Sequence, residues 1–164
     1  MQNYEKKIIL NKISNSTLFT KKIGSQLALL INKSKKNIKK KNIILLEGCI
    51  GSGKTTLIKG IAKQLGIKQN INSPTFLLLK SYKGKNNKIH HLDLYKMLNS
   101  KKNSIISIIE EINEIVELGE ILIIESTKNI LSFFPHWDIK IKINILSLNK
   151  RQILIEQNNT ISKL

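Results

Sequence analysis

The 164-residue chain is short of several things, and each shortage narrows what it can be. It has one cysteine, Cys49, so no internal disulfide can form, and that usage fits a reducing compartment. No apolar run approaches the roughly 20 residues that span a bilayer. The polar stretch Met1 to Lys7 leads only into a short apolar patch, Ile8 to Leu10, which is not a secretory leader. A soluble, intracellular protein without a membrane partner is expected. Aromatic residues make up 5% of the chain, and isoleucine does most of the apolar work. Arginine occurs once, as Arg151, and the other basic residues are all lysine. There is no internal repeat and no long linker. Hydrophobic residues make up 41%, which predicts one globular domain across 1–164, with an ordered core over 16–156 and a frayed tail over 157–164.

Acidic residues number 11 against 28 basic ones, for a net charge of +17. Two readings stand. Lysines attract polyanions such as RNA by neutralising phosphates and releasing counterions. Alternatively, lysine, asparagine and isoleucine share A- and T-rich codons, and a biased genome yields the same profile. The longest basic run, Lys33 to Lys41, lacks the interleaved aromatics or arginines of a base-reading surface.

The pattern predicts an α/β domain with a mixed, part parallel and part antiparallel, sheet. Ser16 to Asn32 reads as a helix capped by Ser16, with Ile23, Leu27, Leu30 and Ile31 on one face. Asn42 to Glu47 is a continuous apolar run, as in a strand buried on both faces. Lys54 to Leu65 is helical and stops at Gly66. Thr75 to Tyr82 and Lys88 to Leu94 read as strands joined by the turn-rich Lys83 to Asn87. Ile105 to Leu118 is an amphipathic helix with Ile105, Ile108, Ile109, Ile112 and Val116 inward, Ser104 as cap and Gly119 as stop. Glu120 to Glu125 is a second buried strand. Ile139 to Ile145 alternates isoleucine with lysine or asparagine, the mark of a strand wet on one face, and Arg151 to Glu156 is its expected partner.

The chemistry centres on Gly48-Cys49-Ile50-Gly51-Ser52-Gly53-Lys54-Thr55, an ungapped GxxxxGK[ST] between a buried strand and a helix. Its glycines let successive N–H groups turn toward phosphate oxygens, and the helix that follows presents its positive dipole end to the same charge. Lys54 reaches the β- and γ-phosphates, and the Thr55 hydroxyl ligates magnesium. Magnesium needs a second, acidic ligand at the end of a neighbouring strand. Glu125 is the candidate, against the alternative of a solvent-facing strand end. Asp93 lies at the end of a strand-like run, where it either orients the attacking water or the metal's hydration shell, or caps the next segment. Ser73-Pro74-Thr75-Phe76 either orders around the γ-phosphate or is a plain turn into a strand. His90 and His91 are adjacent and point to opposite faces, which predicts packed or hydrogen-bonded histidines rather than a metal pair. Cys49 reads as a small loop residue, and Trp137 as a surface-anchored aromatic.

These pieces, in this order, resemble the TsaE (YjeE) family over about Ser16 to Arg151: a short basic helix, E-G-x-x-G-S-G-K-T-T, S-P-T-F, H-x-D-L-Y, then a hydrophobic strand ending in glutamate. The P-loop alone is generic, whereas SPTF followed by HLDLY is specific. The resemblance implies a small ATPase required for N6-threonylcarbamoyladenosine at position 37 of tRNAs reading codons that begin with A. It implies ATP and Mg2+ as cofactors, TsaD-like and TsaB-like partners, tRNA as an indirect partner, and a cytoplasmic setting, while direct contact of the lysine-rich surface with tRNA stays open. Given the composition, a plastid or reduced-genome version is a further expectation. By position, Gly48 and Gly51 to Thr56 (Gly51, Ser52, Gly53, Lys54, Thr55, Thr56) bind phosphates, and Thr55 with Glu125 binds the metal. Thr75 belongs to a switch-like loop, Asp93 serves hydrolysis with Lys54, and Ser16, Thr20 and Arg151 adjoin the nucleotide. Two departures bear on rate and partner contacts: Glu125 is followed by Ser126-Thr127 where the family has tryptophan and proline, and Lys96 stands where arginine is common.

The runner-up is a P-loop small-molecule or nucleotide kinase, disfavoured by the single arginine, since such enzymes clamp two anions with several. A GTPase is disfavoured because Asn149-Lys150-Arg151-Gln152 lacks the aspartate of NKxD. A non-hydrolysing adaptor and a lysine-driven RNA-binding module complete the alternatives.

Overall fold

The two continuous apolar runs lie side by side at the centre of one sheet. The computed structural model describes residues 6–34, 42–74, 79–95, 102–134 and 136–158. In chain order these hold β1 (Lys6–Ser14), α1 (Thr17–Ser34), β2 (Asn42–Gly48), α2 (Lys54–Gln64), β3 (Leu79–Lys83), β4 (Lys88–Asp93), α3 (Lys102–Ile115), β5 (Ile121–Ser126), β6 (Ile139–Ser147) and β7 (Lys150–Asn158). The seven strands are ordered β1-β7-β6-β2-β5-β4-β3. The inner four, β6, β2, β5 and β4, run parallel, while β7, β1 and β3 join antiparallel. This is the mixed α/β sheet the pattern predicts.

Strand periodicity sorts the core into two layers. Ile44 and Leu46 of β2, with Ile121 and Ile123 of β5 and Ile89 of β4, pack against α1 and α2 residues such as Leu27, Leu57 and Ile61. Leu45, Leu122, Ile124 and Leu92 face the other way, onto Ile112 and Val116 of α3 and onto Ile130, Phe134 and Trp137. Each of these buried side chains contributes on the order of 1.5–3 kcal/mol. The helices α1 and α2 approach closely because two glycines face them. A methyl group on Gly24 would strike the Leu57 carbonyl, and one on Gly60 the Lys21 carbonyl. Ser25 Oγ donates to the Gly60 carbonyl at 3.1 Å across the same contact.

Several local expectations hold. Ser16 Oγ accepts the Phe19 N–H at 3.1 Å and caps α1. Gly66 adopts φ 75° just past α2, and Gly84 N–H donates to the Asn87 carbonyl in the predicted hairpin turn. Others are corrected. The expected ordered core starts at residue 16, but Lys6–Ser14, which contains the apolar patch Ile8 to Leu10, is an edge strand paired to β7 through Ser14, so ordered structure begins earlier. An edge strand with mostly exposed residues carries no burial pattern in its sequence. At the other end β7 runs to Asn158, beyond the expected boundary at 156. Leu30 is 50% exposed and Ala28 takes its place in the core, because the buried stripe of α1 follows Ile23, Leu27 and Ile31. Ser104 lies within α3 rather than capping it. Lys140, expected on a wet face, is buried, and so is Trp137.

Candidate P-loop site

The sequence turns from strand to helix between Gly48 and Lys54, and two glycines make the turn. Gly51 and Gly53 have φ of 76° and 103°, a backbone region costly to residues with a Cβ. Gly53 is the N-cap of α2, and no side chain caps that helix end; its first turn also holds no acid. Its leading N–H groups therefore remain available to an anion, and the dipole reinforces them. The Lys54 ammonium folds back over the loop, donating to the Gly48 carbonyl at 2.8 Å and the Cys49 carbonyl at 3.1 Å.

Sheet register brings the acids to this loop. On β4 and β5 the odd-numbered residues face α2, so His91, Asp93 and Glu125 share the face on which Thr55 sits. Asp93 is paired in register with Glu125. The Thr55 hydroxyl lies 3.4 Å from Glu125 Oε1, and His91 Nε2 lies 3.0 Å from the same oxygen. Glu125 and His91 are both buried. Asp93 accepts Ser73 Oγ at 2.9 Å through one carboxylate oxygen and the Tyr95 N–H at 2.9 Å through the other. The capping reading of Asp93 is seen in its bond to the Tyr95 N–H, and the same side chain lines the cleft beside the loop. Gly51, Gly53, Lys54, Thr55, Thr56, Ser73, Asp93 and Glu125 line one cleft of about 430 Å³ together with Ile50, Tyr95, Ser126 and Thr127.

Of the residues expected at the nucleotide, Gly48, Ser52, Ser16, Thr20 and Arg151 are not among those lining this cleft. The Ser16 hydroxyl is engaged as a helix cap. Thr20 Oγ1 bonds Ser14 Oγ at 2.8 Å and the Ser16 carbonyl at 3.1 Å. Arg151 does reach the loop: its Nε donates to the Ser52 carbonyl at 3.1 Å from 99 positions away. The Thr20 methyl and the Arg151 stem flank Gly53. Thr75, Phe76 and Lys96 lie outside the described residues. Ser126, at the family's tryptophan position, is buried, with its hydroxyl closing a turn onto Lys128.

The link from His91 to Glu125 was not anticipated from sequence. The available signal was the alternation Ile89-x-His91-x-Asp93, which puts His91 on the face of Asp93. It becomes legible only once β5 is known to be the neighbour. Among the described residues no cluster of three or more His, Cys, Asp or Glu could hold a metal on protein ligands alone. The oxygen donors Thr55 and Glu125, side by side, do fit magnesium, which is held by one or two protein oxygens with phosphate and water completing its shell. No helix among the described residues is long and apolar enough to cross a membrane.

A glycine loop between a buried parallel strand and an uncapped helix, with acids at the ends of adjacent strands, defines a P-loop NTPase fold. A family model described as "Threonylcarbamoyl adenosine biosynthesis protein TsaE" matches residues 14–153, and the chain belongs to the TsaE family. Among relatives named tRNA threonylcarbamoyladenosine biosynthesis protein TsaE, that of Rickettsia felis is 33% identical over 153 residues, covering 93% of this chain and 82% of the relative. That of Rickettsia prowazekii is 32% identical, covering 87% and 94%. The solved structure of Bacillus subtilis YdiB superposes with a TM-score of 0.65 at 21% identity, covering 96% of this chain and 89% of that one, a likeness of fold.

Proposed function

We propose that the protein is an ATPase of tRNA threonylcarbamoyladenosine formation, acting through a TsaD-like and TsaB-like transferase complex. The observation that carries the chemistry is the convergence of Lys54, Thr55, Glu125 and Asp93 on one cleft. In this reading the uncapped N-terminus of α2 and the loop N–H groups bind the phosphate chain of ATP, and Lys54 leaves its loop carbonyls to pair with the β- and γ-phosphates. Thr55 and Glu125 hold magnesium, which when bound neutralises phosphate charge. Asp93 accepts a hydrogen bond from the water that attacks the γ-phosphorus, and Ser73 fixes the carboxylate that does so. The Lys54 ammonium offsets the charge that develops on the transferring group. The setting in this reading is the cytoplasm, or a plastid stroma if the gene is plastid-encoded, with tRNA contact indirect. The kinase alternative gains no support, because Arg151, the one arginine, is engaged with the Ser52 carbonyl rather than lining the cleft.

Purified protein with ATP and MgCl2 should release phosphate slowly. Lys54→Ala should abolish this, and Asp93→Asn should reduce it about 100-fold while leaving nucleotide affinity within about 3-fold. Depletion in cells should remove threonylcarbamoyladenosine from tRNA, read by nucleoside mass spectrometry. Unchanged tRNA, or phosphate transfer to a metabolite in place of release, would sink the reading.

A further inference from the structure

We propose that His91 is a positioning residue for the metal-binding acid: its imidazole, behind Glu125, holds the carboxylate in the orientation that magnesium requires. The inference rests on the proposed function and deepens it.

His91 has no solvent exposure and is not part of the cleft lining, whereas Glu125 is. It therefore acts on a ligand only through Glu125. The geometry is diagonal across two parallel strands. His91 pairs in register with Ile123 and Asp93 with Glu125, so the histidine sits one same-face step behind the acid. Long side chains bridge such diagonal neighbours. Here the bridge is His91 Nε2 to Glu125 Oε1 at 3.0 Å, shorter than the 3.4 Å from that oxygen to Thr55 Oγ1. With Glu125 ionised and acceptor-only, Nε2 carries the proton and donates it.

The adjacent histidine shows that this is not an ordinary buried imidazole. On the opposite face His90 has both ring nitrogens partnered, Nδ1 by Ser81 Oγ at 2.8 Å and Nε2 by Glu120 at 2.6 Å. His91 has one. Its Nδ1 is buried without a hydrogen-bond partner among the described residues. A histidine kept for stability alone is better replaced by an apolar residue than left half-satisfied. What the half-satisfied ring does supply is a fixed donor to a carboxylate with several rotamers, whose ordering then precedes metal binding. Outer-shell donors of this kind change metal affinity by about 10–100-fold when removed.

The test compares the affinity of a fluorescent ADP analogue in saturating MgCl2 with that in EDTA, so that the magnesium-dependent gain is read without turnover. His91→Leu, close in volume and without a donor, should lower that gain about 10-fold or more and leave the EDTA affinity unchanged. His91→Gln, whose amide nitrogen reaches the place of Nε2, should restore most of it. His91→Asn, whose amide nitrogen matches Nδ1 instead, should not. A wild-type gain in His91→Leu overturns the proposal, as does equal loss in MgCl2 and EDTA. Should circular dichroism show His91→Leu unfolded, the Gln and Asn variants decide, and equal gains in the two overturn it. No gain in the wild type is a different failure, that of the metal site at Thr55 and Glu125 in the proposed function.

Discussion

Glu47 and Glu125 stand next to each other and live in different electrostatic worlds. Both are buried near the carboxyl ends of central parallel strands, one register step apart: Leu46 pairs with Glu125 and Glu47 with Ser126. Because that single step flips the face, Glu47 points to the α3 side of the sheet with Leu45, and Glu125 to the α2 side with Leu46. Glu47 is answered by a buried lysine, with Lys140 Nζ 3.2 Å from Oε1. That contact is one of charge rather than an aligned hydrogen bond, since Oε1 has no geometric hydrogen-bond partner. Glu125 is answered by His91 and Thr55, and among the described residues no lysine or arginine forms an ion pair with it. A buried acid with its own cation is already neutralised. One supplied with hydrogen bonds but no lysine or arginine keeps its attraction for a cation from outside. The difference separates an acid of the framework from an acid of the site.

Neutralising these groups one at a time should affect the two acids in opposite ways. Removing Lys140 strands Glu47, so Lys140→Met should cost about 3–5 kcal/mol in urea denaturation. Adding Glu47→Gln to that variant should recover most of the loss, and failure to recover would show that the lysine matters for packing rather than for charge. Glu125→Gln should behave in the opposite way. Stability should stay within about 1 kcal/mol, because the amide oxygen still accepts from His91 and a buried charge disappears. The magnesium-dependent gain in nucleotide affinity should fall about 10–100-fold.

A third acid, Glu120 at the entrance to β5, sharpens the contrast by a smaller effect. Burial pushes its carboxyl up, but the Glu117 N–H, the His90 hydrogen bond, Lys88 and the charge of His90 outweigh burial and hold it below the usual carboxylate range. A depressed folded-state value means that the stabilisation is fully present above the unfolded value, about 4.3, and is lost as pH falls through the lower folded one. Wild type should therefore lose more stability than Glu120→Gln between about pH 5 and about pH 3, read as the shift in urea midpoint.

Local pattern carried much of this. The P-loop, the helix stop at Gly66, the cap at Ser16, both buried central strands and the split of His90 from His91 follow from short-range chemistry, and each is present in the fold. Where the pattern misled, a neighbour overrode it. Lys140 occupies the polar phase of a clean alternation, yet β6 lies between β2 and β7, and Glu47 on β2 draws the lysine inward. Leu30 sits at helical spacing from its buried neighbours but at the edge of the stripe that meets α2. β1 has no pattern of its own because the edge position demands none.

The glycine loop and the alternation of faces along each strand are set locally, since both depend on bond geometry within a few residues. Which acid meets which partner is set by the packing of the whole sheet. The order β6-β2-β5-β4 puts Glu125 against Thr55 across 70 positions, and the β6–β7 hairpin returns Arg151 to Ser52 across 99. Strand parity is local, but strand adjacency is a property of the whole packed sheet.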